Sequence, residues 1–557
     1  MKQVFIAIGG SGTKVAEALV GLLALGCPTR KGGNKLTSVG DELEIWRVDA
    51  DQSSGANSSL AQQIAAYQQL REAFEEGWSV KINAEVKKLN PLNLPQADAL
   101  DNVTPSIRGV LNSYAKDETQ LFIDLFYTEE EQNENISRGF YQKPFIGASI
   151  MAIYAESLPR RAAQLGLNLA NLTTTDTRFF ICGSLHGGTG ASGVPVFGRF
   201  LKEQNPRPNW RISACLLAPY CNPPQPFISE KDARELTTRD QILDWFKNED
   251  NKTADELFST SEEKVDAVLQ IAKGFYAKNN ELIDRSKHNL KYYDQILMKY
   301  FDQVYVVGKH KRETLPKWSN GGANQNNPTN SAEVVAALTA LNFFAENSAP
   351  VGTGNYIVAS SMDSGVNPIT EDGMGLYHLP EYKVGGQAID PEKVLLATIL
   401  SALLIAYDHR WTVNGYVEEW TGDRKLGAVY QRKPDRKAED GRAFVTAATT
   451  ILAVAQNLAG SDAFESLGWH NNVWTELSKN LPANVQGAEA RLNDAVKGWF
   501  GKADVPKIGN SRWPIDFAAF RSWALPPDEG FNRGSYFRCV WSEIYQKIED
   551  ITQNRTK

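Results

Sequence analysis

The sequence predicts an α/β protein built on a parallel sheet, with a helical insertion and a mostly helical C-terminal region. Three observations carry this. Over the first 220 residues, short apolar runs alternate with segments of helical periodicity, the pattern of strands joined by crossover helices. Two of those runs end in glycine-rich turns, at Gly9–Gly12 and Gly187–Gly193, and each turn leads into a helical pattern. Residues 223–300 and 436–557 are helix-prone and lack strand runs.

Gln3–Ile8 is a short apolar run closed by glycines, as a buried parallel strand requires. Thr13–Leu25 has helical spacing. Glu42–Val48 reads as a second strand, Leu60–Phe74 and Ser106–Tyr114 as helices, and Gln120–Phe126 as a third strand. Ile146–Leu165 reads as a helix, Arg178–Cys182 as a strand, Val194–Glu203 as a helix and Arg211–Leu217 as a strand. After the insertion, Asp302–Val307 returns as a strand. Ser331–Phe344 is a patterned helix, which Asn330 or Ser331 can cap, with Glu333 in the first turn where the helix dipole favours an anion. Asn355–Ser360 reads as a strand and Pro391–Ala406 as an apolar helix. The implied organisation is a nucleotide-binding domain over 1–350, a linking region over 351–410 and a mostly helical domain over 411–557. Trp469, Trp474, Trp499, Trp513, Trp523 and Trp541 are spread through the tail without regular basic neighbours, which points to packing rather than base stacking.

The chain has 557 residues, 42% hydrophobic and 22% charged, and a net charge of −7. That mild acidity gives no global attraction to nucleic acid or anionic membrane. The longest apolar run, Val394–Tyr407, is about 14 residues, short of the roughly 20 a membrane span needs. The N-terminal apolar run is too short for a signal peptide. The odd count of cysteines (Cys27, Cys182, Cys215, Cys221, Cys539) has no metal spacing and fits a reducing compartment. A cytoplasmic protein is expected.

The chemistry concentrates in the two glycine turns. In Gly9-Gly10-Ser11-Gly12-Thr13 the missing side chains let backbone N–H groups approach an anion, and the following helix adds its positive end. Alone, this loop also fits a dinucleotide site, with Asp49 after the second strand placed to bind a ribose. No Gly-Lys-Ser/Thr closes it, so it is not a Walker loop. The second loop, Gly187-Gly188-Thr189-Gly190-Ala191-Ser192-Gly193, is richer. Its backbone donors and the hydroxyls of Thr189 and Ser192 are suited to surround two phosphates. His186 inside it reads as a spacer or hydrogen-bonding residue, or as a group touching phosphate or acting in hydrolysis. The other histidines form no metal spacing.

GGTGASG resembles the signature loop of the tubulin/FtsZ superfamily, GGGTGSG or GGGTGTG. The likeness continues in order over roughly residues 1–345. Val4–Thr13 resembles the first nucleotide loop, and Arg47–Gln52 the end of the second strand. Ile136–Ser157 resembles the loop and helix beside the γ-phosphate, Leu217–Pro223 the strand end near the ribose, and Asn324–Phe344 the start of the core helix. The resemblance implies a Rossmann-like GTPase-type sheet, GTP or GDP with magnesium, and self-association. By it, Gly9 to Thr13 hold the α/β-phosphates with Gly187, Gly188, Thr189, Gly190 and Ala191. Asp49 and Gln52 lie near the phosphates or magnesium. Arg138, Gly139, Lys143 and Gly147 lie near the γ-phosphate, and Pro219 and Asn222 near the ribose. Asn330 or Glu333 reads guanine, with a simple helix cap as the equal alternative for Asn330. Lys143 departs from the family pattern, and either pairs with a terminal phosphate or is solvated.

The resemblance stops after Phe344. The family's acid-bearing loop is absent there, and Asn367 with Asp372 is the nearest approximation to a catalytic pair. Two other functions stay open. One is a nucleotide-gated scaffold with little or no GTPase activity, engaging partners through the 223–300 insertion and the tail. The other is an NAD(P)- or FAD-dependent oxidoreductase, suggested by the first loop and Asp49.

Overall fold

A computed structural model describes most of residues 2–345. It leaves out 25–41, 74–82, 93–104, 113–117, 168–176, 205–209, 222–226, 273–283, 292–298, 310–328 and a few short stretches that include Arg138. Beyond 345 it describes 355–361, 382–384, 387–389 and three residues near 451. In chain order the elements are β1 (Lys2–Ile8), α1 (Gly9–Ala24), β2 (Glu42–Val48), α2 (Gly55–Ala73), β3 (Asn83–Leu89), α3 (Ile107–Asn112), α4 (Glu118–Phe126), α5 (Glu129–Asn133), α6 (Pro144–Arg161) and β4 (Thr177–Ser184). There follow α7 (Gly188–Gln204), β5 (Trp210–Leu217), α8 (Glu230–Glu235), α9 (Arg239–Lys247), α10 (Lys252–Asp255), α11 (Ser261–Ala272), β6 (Gln303–Lys309), α12 (Ser331–Ala345), β7 (Asn355–Ser361), β8 (Tyr382–Val384) and β9 (Gln387–Ile389).

β1 to β7 form one sheet in the order β3-β2-β1-β4-β5-β6-β7. Every neighbouring pair is parallel. β8 and β9 pair antiparallel apart from it. The order runs outward in both directions from β1 and β4, so the chain reverses its direction of travel between those two central strands. This is the Rossmann-like, doubly wound arrangement, and it opens a crevice at the carboxyl ends of β1 and β4.

The period-2 alternation of β1 and β4 explains why both faces are covered. Val4, Ile6, Ile8, Phe179 and Ile181 join the core that holds Ile146, Ile150 and Leu158 of α6 with Val194, Phe197 and Leu201 of α7. The alternate residues turn the other way. Phe5 stacks on Phe180 at 5.7 Å, and Phe180 meets Phe343 and Phe344 of α12 at 5.8 and 6.2 Å. α12 ends on a buried cation from the sheet. Arg178 Nη1 donates to the carbonyls of Phe343 and Phe344 at 2.8 and 2.7 Å, groups that the last turn of a helix leaves without an intrahelical partner. Arg178→Met is expected to lower stability by about 3 kcal/mol, since it removes two charge-assisted bonds and strands buried carbonyls. A urea unfolding midpoint equal to the parent's would contradict that role.

Two sequence expectations are corrected. Gln120–Phe126 lies in helix α4. Its apolar residues satisfy helical i,i+4 spacing as well as a strand run, and among the described side chains of the helix only Ile123 is buried. The third strand is instead Asn83–Leu89, an edge strand whose Glu85, Lys87 and Lys88 disguise it. The glycine turns are also shorter than expected. α1 begins at Gly9 and α7 at Gly188, so most of each glycine motif is first helical turn rather than loop.

Residues 230–272 form four helices around their own small core. It includes Ile242, Phe246, Val268 and Ile271, with Phe227, Trp245 and Phe258 packed on it. Among the described residues, no helix is long and apolar enough to cross a membrane. The expected helix Pro391–Ala406, the apolar run Val394–Tyr407 and the six tail tryptophans lie outside the described residues, as do Asn222, Asn367 and Asp372.

Candidate functional site

α1 and α7 start at the ends of the two strands that flank the switch, so their positive ends converge on one crevice. Neither helix has an acidic residue in its first turn, so that charge is not neutralised from within. The two turns touch. Gly9 has a left-handed φ of +72°, and a Cβ there would lie 3.1 Å from Thr189 Cβ and 3.4 Å from Gly190 N. Only glycine serves this turn.

The helices are seated deeply because of glycine. A Cβ on Gly12 would lie 2.6 Å from the Cys182 carbonyl oxygen and 3.0 Å from the Ala7 carbonyl carbon. One on Gly190 would lie 2.6 Å from Ser184 N. A third wall comes from the segment before α6. Gly139, with φ +105°, lies over Thr189, its built Cβ 3.6 Å from Thr189 Oγ1. The Phe140 carbonyl packs on Gly188. Thr189 is therefore the residue shared by all three segments, and it is 8% exposed.

Other expected residues have defined partners. Thr13 is buried and donates to the Gly9 carbonyl at 3.0 Å. Ser192 is buried and donates to the carbonyls of Gly188 and Thr189. Both hydroxyls thus serve helix backbone, contrary to the expectation that Ser192 faces phosphate. Gly147 packs α6 against Phe140 and Ser192. Lys143 Nζ pairs with Glu131 at 3.6 Å and lies over the Phe145 ring, so it is not simply solvated. Gly10 and Ser11 are half-buried at the start of α1, and Ala191 is buried in the first turn of α7. Gly187 N donates to Ser184 Oγ at 3.0 Å. Pro219 is half-buried beyond β5.

Asp49 follows β2 level with the first glycine turn, since Ile8 pairs with Val48. It is buried, accepts from Asp51 N at 3.2 Å, and its carbonyl accepts from the Gln52 side chain. Arg47 donates to Gln52 Oε1 at 2.6 Å. Burial pushes the Asp49 carboxyl up to about 7, against the pull of Arg47. Among the described residues no group of three His, Cys, Asp or Glu is arranged to hold a metal.

The far side of the crevice holds a buried ionisable cluster, in which the expected Asn330 and Glu333 are joined by Tyr220, Lys14 and Glu17. Tyr220 donates to Glu333 Oε1 at 2.8 Å and hydrogen-bonds Ser11. Glu333 Oε2 accepts from Asn330 N at 2.8 Å, while Asn330 Oδ1 accepts from Ala332 N at 3.0 Å. Asn330 is thus the cap of α12, its side chain serving Ala332 N, while Glu333 reaches back to the Asn330 N–H as the second residue of a capping box does. Burial raises Glu333 to about 7, opposed first by Lys14. Lys14 pairs with Glu17 at 2.6 Å, and Glu17 also accepts from Ser59. Sequence reasoning does not single out Lys14 or Glu17, and it reaches Tyr220 only as part of the Leu217–Pro223 segment. His186 is buried, edge-on to Tyr220 at 6.2 Å, and hydrogen-bonded to the Leu217 backbone. Burial lowers it to about 4, so at neutral pH it is uncharged and a hydrogen-bonding residue of the loop.

The arrangement brings two helix N-termini, neither with an acid in its first turn, and the shared Thr189 to one strand switch. Compared with known families and with curated proteins, the chain matches none.

Proposed function

We propose that the chain binds a guanine nucleotide, with its phosphates between the starts of α1 and α7. One observation carries this reading: two glycine-opened helices meet at a single strand switch, with Gly9 against Thr189 and Gly190. A helix N-terminus is a ready anion site, and two aimed at one crevice suit consecutive phosphates. The guanine assignment rests on the ordered likeness to tubulin/FtsZ loops. Under it the base lies toward Tyr220 and Glu333, and Asp49 with Gln52 lies on the side of the phosphates or magnesium. Nucleotide-dependent self-association is part of the same likeness.

Titration of the full chain with fluorescent GTP, ATP and NADH tests the class. Thr189→Val keeps volume and removes the hydroxyl. It is expected to weaken GTP binding about tenfold, the size of one hydrogen bond to a charged group, with the unfolding midpoint unchanged. Equal affinity would remove Thr189 from the site. A dinucleotide is the second reading, favoured by Asp49 beside the first glycine turn. NADH binding without GTP binding would establish it instead.

A further inference from the structure

We propose that the outer face of α4, together with Phe145, docks a basic amphipathic helix of another protein. α4 is apolar on two sides. Ile123 is buried in the main core, whereas Leu121, Phe122, Leu125 and Phe126 are 65%, 40%, 70% and 66% exposed, and Phe145 at the start of α6 is 48% exposed. These residues form one surface. Leu121 and Leu125, like Phe122 and Phe126, are one helical turn apart. The rings of Phe122 and Phe126 lie 4.7 Å apart, Phe122 meets Tyr127 at 6.3 Å, and Tyr127 stacks on Phe145 at 6.5 Å. At about 150–250 Å² per large side chain, the exposed apolar area is roughly 500 Å², at the upper end for a monomer and typical of interaction sites. Paired aromatics are the side chains that anchor protein interfaces.

Charge selects the partner. Between Lys116 and Arg138 the sequence has seven carboxylates and no lysine or arginine. Glu129 and Glu130 are exposed beside the apolar surface in the first turn of α5, whereas Asp124 lies 3.9 Å from Arg108, and Lys143, over the Phe145 ring, is paired with Glu131. An acidic rim around an apolar stripe complements a helix with leucine-like residues on one face and lysine or arginine flanking it. The same rim repels an anionic membrane. The proposal stands whether or not the crevice binds nucleotide.

The test uses the full chain and a synthetic helix of about 18 residues, long enough for several turns, with leucine on one face and lysine on the other. A leucine–glutamate peptide of the same pattern is the control. The lysine peptide is expected to bind with salt-sensitive affinity. Leu125→Asp or Phe126→Asp is expected to weaken it at least tenfold while leaving the thermal melt unchanged, since both side chains project into solvent. Glu129→Lys with Glu130→Lys is expected to weaken it about fivefold and flatten the salt dependence. Equal binding of the glutamate peptide, or indifference to Leu125→Asp, would overturn the proposal. So would self-association or binding to anionic vesicles that Leu125→Asp abolishes, because the face would then serve a second copy or a membrane.

Discussion

Gly12→Ala and Gly190→Ala are each expected to lower stability by about 3 kcal/mol and to abolish the proposed nucleotide binding. The added methyl on Gly12 would meet the Cys182 carbonyl oxygen at 2.6 Å, and that on Gly190 would meet Ser184 N at 2.6 Å. Both obstacles are backbone of β4, a central strand paired on both sides. No rotamer change relieves them, so the helix must lift from the sheet. Overpacking costs typically 1–3 kcal/mol and more where the surroundings are rigid. The same displacement moves the helix N-termini that the phosphates would need, so binding is lost beyond the loss of stability. Gly187→Ala is the contrast. Its methyl would meet the Ser184 hydroxyl, a side-chain end that can turn away, and the expected cost is about 1 kcal/mol. Urea unfolding and GTP titration of the three variants test this together. If all three behave alike, the helices are not seated on β4 as described.

The contrast also shows what was legible in the sequence. The glycine motifs announced that helices approach strands and that a turn precedes them. Apolar runs marked β1, β4 and β5 because buried parallel strands are largely hydrophobic on both faces, and β2 stayed legible through Leu43, Ile45, Trp46 and Val48 despite Glu44 and Arg47. Edge position removed that signal from β3, where Lys87 and Lys88 replace it. α4 misled for the opposite reason. Leu121, Phe122 and Leu125 are apolar without being buried, so their density suggested a core strand when they form a solvent-facing surface.

Within the crevice, spacing located backbone but not side-chain partners. Thr13 and Ser192 look like phosphate ligands in a glycine loop, yet each sits four residues after the carbonyl it bonds, Gly9 and Gly188. That is helical back-bonding, available only because both helices begin earlier than Thr13 and Val194. Glu333 reads as a first-turn acid on a helix. Its burial beneath Tyr220, and its proximity to Lys14 of α1, depend on contacts far apart in the chain.

That burial predicts an unusual pH dependence. From pH 4.5 to 7 the stability of Glu333→Gln is expected to rise by about 3 kcal/mol relative to the parent. The ordinary Glu value of 4.5 is raised to about 7 in the folded state. The native protein therefore keeps a proton that the unfolded chain releases. The stabilisation from Glu333 is complete below pH 4.5 and is lost as pH rises to 7, at about 1.4 kcal/mol per pH unit. Asp49, raised from 3.8 to about 7, acts in the same direction. His186 opposes both. Lowered from 6.5 to about 4, it refuses a proton that the unfolded chain accepts, so its stabilisation is complete above pH 6.5 and is lost as pH falls to 4. His186→Asn is accordingly expected to gain about 3 kcal/mol over the parent between pH 6.5 and 4. In the parent the windows overlap and partly cancel, one histidine against two acids. The slope of each variant-minus-parent difference is the reading, because hydrogen bonds altered by the amide add an offset independent of pH. Urea unfolding across pH 4–8 measures it. A flat Glu333→Gln difference would mean that this carboxyl titrates as it does in water, and that the seal formed by Tyr220 over α12 is open in solution.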